Sequence, residues 1–152
     1  MSNLRLINET TASNVADVFS SDFDIYKVIL EVDDGTQADN IHGRFINSSG
    51  SIITTGTYDW ANMDLNSYAA FTEQRYTNTA YFPNLTQAEA GTNQGGNFVM
   101  YVFNPYSSSS YSFMFGQTSQ FFNSGNYLRS RKYIGVNKTT ASITGLNFYT
   151  SA

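Results

Sequence analysis

Ile25-Tyr26-Lys27-Val28-Ile29-Leu30-Glu31-Val32 is the stretch that decides the fold. Tyr26, Val28, Leu30 and Val32 fall on one face, and Ile25, Lys27, Ile29 and Glu31 on the other. This period of two marks a half-buried strand. Asp33-Asp34-Gly35 ends it, because Gly35 tolerates the positive φ of a turn. The same texture recurs along the chain: short runs of Tyr, Phe, Val and Ile, parted by Asn, Gly, Ser and Thr. The first set favours pleated strands and the second favours turns. Aromatic residues make up 16% of the chain and charged residues only 13%, about half the usual charge. Such a composition suits a wall that packs and binds better than a catalyst.

Working outward, Leu4 to Asn8 and Asn14 to Phe19 are strand candidates ahead of this run. Ile41 to Asn47 and Ser51 to Thr57 read as a hairpin around Asn47-Ser48-Ser49-Gly50. Tyr58 to Thr79 has no clean alternation, so a long aromatic-rich loop is expected there, with a helical turn near Asp64 to Phe71. Thr86 to Gly96 reads as a polar surface loop. Asn97 to Asn104 is apolar on both faces, which predicts a central strand or one with a neighbour on its outer side. Ser112 to Phe122 returns as its hairpin partner. Tyr127 to Val136 and Ala141 to Thr150 complete eight or nine strands. Turns every 8 to 12 residues predict an all-β, jelly-roll-like β-sandwich.

Nothing divides the 152 residues, so residues 1–152 are expected to form one domain with a real core. The net charge of -4 and a pI of about 4.7 argue against a nucleic-acid platform. There is no cysteine, which excludes disulfides and thiolate metal sites. No apolar run approaches the roughly 18 residues of a spanning helix. The opening Met1-Ser2-Asn3-Leu4-Arg5 forms no apolar signal region.

Chemistry-bearing constellations are sparse. His42 is the single histidine, and one histidine cannot build a multi-histidine metal site. A surface or interface position is its ordinary reading. No serine sits in a Gly-x-Ser-x-Gly elbow. The run from Asp33 to Asn40 could offer oxygens to calcium but lacks EF-hand spacing. No cofactor and no catalytic residue are expected. Arg129, Arg131 and Lys132 form the one dense positive patch, with Arg129 and Arg131 on one face and Lys132 on the other. They are candidates for contact with an acidic partner surface. Tyr58, Trp60, Tyr68 and Phe71 are the candidate aromatic anchors, since rings on loops hold protein interfaces or stack on sugars.

Several segments carry a resemblance. Leu6-Ile7 with Thr11-Ala12-Ser13 is one, and Phe23-Asp24-Ile25-Tyr26-Lys27-Val28-Ile29-Leu30 another. Gly43-Arg44-Phe45, Tyr58-Asp59-Trp60-Ala61 and Ile143-Thr144-Gly145-Leu146-Asn147-Phe148 complete the set. Together the chain resembles small jelly-roll virion proteins of tailed, often marine or cyanobacterial, phages. Those proteins act as capsid decorations, head fibres or tail-associated proteins. The resemblance implies a non-enzymatic virion protein, most simply a homotrimeric capsid decoration protein docked on the major capsid protein. A carbohydrate- or receptor-binding module of a tail or head fibre is the alternative. Relatives run on into a further strand, whereas this chain stops at Tyr149-Thr150-Ser151-Ala152. Either the chain is cut short or this member lacks that strand; in the second case one sheet is expected to have an open edge along Ala141 to Thr150, which invites closure by a neighbouring chain.

Overall fold

The computed structural model describes residues 5–32, 39–88, 95–122 and 126–150. Ten strands build it: β1 (Asn14–Val15), β2 (Ile25–Val32), β3 (Asp39–Asn47), β4 (Tyr58–Asn66), β5 (Thr72–Thr79), β6 (Phe82–Ala88), β7 (Gly96–Phe103), β8 (Ser112–Phe122), β9 (Tyr127–Asn137) and β10 (Ile143–Thr150). They form a four-stranded sheet in the order β1-β10-β3-β6 and a six-stranded sheet in the order β2-β7-β8-β9-β4-β5. All ladders are antiparallel. The all-β sandwich expected from the alternation is the fold. Counting the β7-β8-β9 meander as one element removes two strands from ten and leaves eight. Those eight wind back and forth between the sheets as in a jelly roll. The meander widens one sheet beyond its partner, so β5 is exposed along nearly its whole length.

The core lies between the sheets and is rich in rings. Phe45, Tyr58, Phe82, Phe98 and Tyr133 are essentially inaccessible to solvent. Phe82 meets Tyr58 edge-on at 4.7 Å and Phe45 at 5.5 Å between ring centroids. Tyr133 continues the chain of edge contacts to Phe82 and Phe98. Two glycines make room for this set. A Cβ on Gly135 would sit 2.5 Å from Phe82, and one on Gly116 would sit 2.5 Å from Phe98. Glycine in a strand interior here marks a close ring-to-backbone approach.

The expected aromatic loop from Tyr58 to Thr79 is instead the β4-β5 hairpin, turning at residues 67–71, with no helical turn. The alternation is hidden because the inward face of β4 changes character midway. Tyr58 and Trp60 are followed inward by Asn62 and Asp64, all buried. Ser51 to Thr57 is not a strand: one bridge joins Ile46 to Ile52. The Asn47 side chain accepts the Ser49 and Ser51 amides at 3.0 Å and holds the turn closed. Thr86 to Ala88 belong to buried β6 rather than to a surface loop, and residues 89–94 lie outside the described residues. Of the first two strand candidates, only Asn14–Val15 is a strand among the described residues. The edge expected along Ala141 to Thr150 is closed by the chain itself. β1 pairs with β10, the Phe148 amide donates to the Ser13 carbonyl, and the Val18 and Phe19 amides donate to the Thr144 carbonyl.

Gly116→Ala and Gly135→Ala are each expected to cost about 1–3 kcal/mol of stability, because a methyl group there must displace a packed ring. Urea titration reads this directly. An unchanged midpoint in both variants would show that the rings have slack.

Candidate interaction surface

β8 carries its bulk on the wrong side for an ordinary sandwich. Ser112, Met114, Gly116, Thr118 and Gln120 point inward and are buried, while Phe113, Phe115 and Phe121 point outward. Cross-strand register lines up matching residues on its neighbours. One row runs Ile25, Phe103, Phe113, Val136, and the next runs Lys27, Tyr101, Phe115, Ile134, Ala61. Ile29, Val99 and Met63 flank these rows, with Gln117 and Lys132 between them. Phe115 is 48% exposed and Ile134 59% exposed. An antiparallel sheet facing water normally alternates polar outward. A contiguous exposed apolar face of this kind marks an interaction surface.

The sequence candidates divide between this exterior and the core. Tyr58 is wholly buried. Its hydroxyl donates to the Ile53 carbonyl and accepts the Phe45 amide, each at 3.0 Å, and burial pushes its pKa well up. Trp60 is packed between Tyr76 at 5.1 Å and Tyr133 at 5.7 Å. Both were expected as exposed anchors, and both are core residues, because the segment is a strand and not a loop. Tyr68 and Phe71 are exposed at the β4-β5 turn, with Tyr68 stacked on Tyr127 at 5.6 Å. The sheet-face residues Phe113, Phe115 and Ile134 were not singled out in the sequence. Their signal was the doubly apolar run from Asn97 to Asn104, whose outer side faces the same direction.

The positive patch is also split. Arg129 and Arg131 do share a face, but it is the inner one. Asp64 accepts the Arg131 Nε at 2.7 Å and the Arg129 guanidinium at 2.5 Å. Arg131 also donates to the Asn84 carbonyl at 2.9 Å. Burial and the neighbouring Arg129 lower the Arg131 pKa, with Asp64 opposing them. These arginines tie β9 to β4 and β6 instead of meeting an acidic partner. Lys132 alone stands on the outer face, exposed.

His42 is buried, not at the surface. Its Nδ1 accepts the Asn84 amide at 3.1 Å, and its ring lies 4.9 Å from Tyr81 and 5.4 Å from Tyr149. Arg44 lies over Tyr149 at 4.3 Å. Burial first, and then the Arg44 charge, lower the His42 pKa. The possible calcium run from Asp33 to Asn40 falls mostly outside the described residues, and Asp39 and Asn40 open β3. Among the described residues no three His, Cys, Asp or Glu side chains gather as metal ligands. Nor, among the described residues, is any helix long and apolar enough to cross a membrane. No family model, curated protein or solved structure matches this chain.

Asp64→Asn should destabilise the fold by about 3–5 kcal/mol, since it leaves the buried Arg131 charge without its carboxylate. Chemical denaturation measures it, and a loss under about 1 kcal/mol would mean that the pair is solvated. His42 gives a separate signature. Its folded pKa lies below the unfolded 6.5, so the unfolded chain takes the proton first. Stability should hold above pH 6.5 and fall as pH drops from there through the lower folded value. In His42→Gln that slope should vanish; a slope identical to wild type would assign the loss to other groups.

Proposed function

We propose that this chain is a non-enzymatic structural protein of a tailed-phage virion, most simply a capsid decoration protein. It works by having the outer face of its six-stranded sheet covered by other protein chains. The observation that carries this reading is the outward set of rings and branched aliphatics centred on Phe115 and Ile134. Burying such surface contributes roughly 25 cal/mol per Å² before association costs. The resemblance to jelly-roll virion proteins supplies the setting. Two groups suited to acid–base work are engaged in the fold: Asp64 holds two arginines, and His42 accepts a backbone amide.

One observation favours the glycan-binding alternative. Tyr101 and Phe115 lie nearly parallel on the exposed face, at 15° and 6.3 Å, beside a shallow depression that Asn97 and Gln117 also line. Adjacent rings with an amide nearby form a platform for a sugar ring. By contrast, the Tyr76-Trp60-Tyr133 stack offers none, because the inner rings cover one another.

The test is a double variant, Phe115→Ser with Ile134→Ser. It should keep its β circular dichroism and weaken binding to particles by roughly 10²–10⁴-fold, given about 1.5–3 kcal/mol for each of the two large apolar side chains removed. Normal occupancy would reject the face as the docking surface. Asn97→Ala with Gln117→Ala separates the two readings: it should leave occupancy intact, whereas glycan-array binding abolished by this pair would favour the sugar module.

A further inference from the structure

β2 is the outermost strand of the six-stranded sheet, and it pairs with β7 over eight residues without a register shift. The Asn104 amide donates to the Asp24 carbonyl at 2.7 Å, which fixes the phase of the ladder. Antiparallel pairs alternate between hydrogen-bonded and non-bonded. Counting in twos from Asp24, the even residues Tyr26, Val28, Leu30 and Val32 bond to β7. The backbone groups of Ile25, Lys27, Ile29 and Glu31 therefore point away from the sheet. No described backbone group bonds to them. A long, regular, apolar edge of this kind is a template for another strand, and natural proteins usually blunt it with bulges, prolines or several charges. The opposite edge, β5, is blunted in that way by Glu73 and Arg75 among polar residues. β2 also carries two charges of opposite sign, Lys27 and Glu31, but its other six residues are apolar or aromatic.

We infer that β2 pairs with β2 of a second copy of this chain, antiparallel about a two-fold axis through Ile29. The sequence Lys27-Val28-Ile29-Leu30-Glu31 is self-complementary about that centre. A two-fold axis at Ile29 sets Lys27 of each copy opposite Glu31 of the other, twice, with Ile29 facing its own symmetry mate. These are all outward-pointing backbone positions, so this register also makes the hydrogen bonds. Shifting the centre to Val28 sets Glu31 opposite Ile25 and Lys27 opposite Ile29, which loses both ion pairs. On the inner face, Val28 of each copy meets Leu30 of the other. Val28 and Leu30 are half-buried on the core, and pairing covers the side that the sandwich leaves open. Directly opposed unlike charges and β-branched pairs are the stabilising cross-strand combinations. The pairing is made along the strand edge, whereas the sheet face of the proposed function, which Ile25, Lys27 and Ile29 border, is centred on Phe115 and Ile134, so either can fail without the other. The pairing is two-fold; the three-fold grouping implied by the resemblance would need a different surface.

Sedimentation equilibrium and native mass spectrometry across the micromolar range test it. The wild type should be a dimer. Lys27→Glu alone and Glu31→Lys alone should each raise the dimer Kd by roughly tenfold, because both symmetric pairs turn repulsive. The two single variants mixed should form a heterodimer, and the double swap K27E/E31K should restore the homodimer. Both positions are exposed on an edge, and circular dichroism checks that each variant folds. A second measurement needs no variant: the amides of Ile25, Lys27, Ile29 and Glu31 should gain hydrogen-exchange protection as protein concentration rises. A monomeric or trimeric wild type, a dimer indifferent to both single swaps, or unprotected odd-numbered amides in a dimer would overturn the inference. Phe115→Ser with Ile134→Ser should leave the dimer intact, so its effect on particle occupancy reads the sheet face separately.

Discussion

The absence of side chains at Gly116 and Gly135 governs the architecture. Phe98 lies across the first and Phe82 across the second, each where a Cβ would approach to 2.5 Å. Those rings come from the strands around β8 and β9 and fill the core in their place. β8 therefore contributes little volume inward, and Phe113, Phe115 and Phe121 are left on the outside. A sandwich interior is packed to nearly crystalline density, so the choice of which strand supplies the rings is exclusive. The inward vacancy and the outward apolar face are two sides of one arrangement. The function proposed for the chain grows from a packing decision made at two glycines.

The second organising feature is the polar part of the interior. Beside the apolar rings, Asp64, Arg131, Thr86, Thr118 and Gln120 are all buried between the sheets, and Asp64, Arg131 and Thr118 share a cross-strand row with Phe98. The Thr86 hydroxyl lies 3.2 Å from that of Thr118 and donates to the Gln120 side chain at 3.3 Å. Arg131 reaches from β9 to β4 and to the β6 backbone at once. Buried ion pairs add little net stability over apolar packing, but removing one partner is costly. Their geometry penalises any slip of register, since a one-residue shift sends Asp64 to the outer face. The rings hold the sheets together and the polar cluster holds their alignment.

Much of the fold was legible from period-two alternation. β2, β3, β7, β8, β9 and β10 fall within a few residues of the expected runs, because each alternates cleanly or is bounded by Asn, Gly, Ser or Pro. β4 was not legible, because its inward face passes from Tyr58 and Trp60 to Asn62 and Asp64, and a polarity pattern has no way to count a buried carboxylate as core. The same blindness placed Tyr58 and Trp60 outside and set Arg129 and Arg131 beside Lys132 as one patch. The interaction surface was half visible. Doubly apolar Asn97 to Asn104 implied an outer neighbour, yet the inversion of β8 depends on whether Met114 or Phe115 faces inward. Alternation alone is symmetric between those two choices, and only the glycine-to-ring fit breaks the tie.

The open β2 edge and the exposed sheet face are linked through register. Ile25, Lys27, Ile29 and Glu31 aim their backbone groups along the sheet and their side chains out of its face, in line with Tyr101, Phe115 and Ile134. Two-fold pairing at Ile29 would join two six-stranded sheets into one, with both outer faces on the same side apart from the twist between strands. The apolar area available to a third chain then doubles without any new residue. Two faces held at fixed spacing bind a repeating lattice as a bivalent ligand, where the second contact is made at high effective concentration. A weak individual contact suffices under those conditions, provided that the lattice repeat matches the spacing of the pair. The charge pattern of Lys27 and Glu31 therefore bears on more than dimer formation, because it sets the distance at which two copies present Phe115 and Ile134 to whatever covers them.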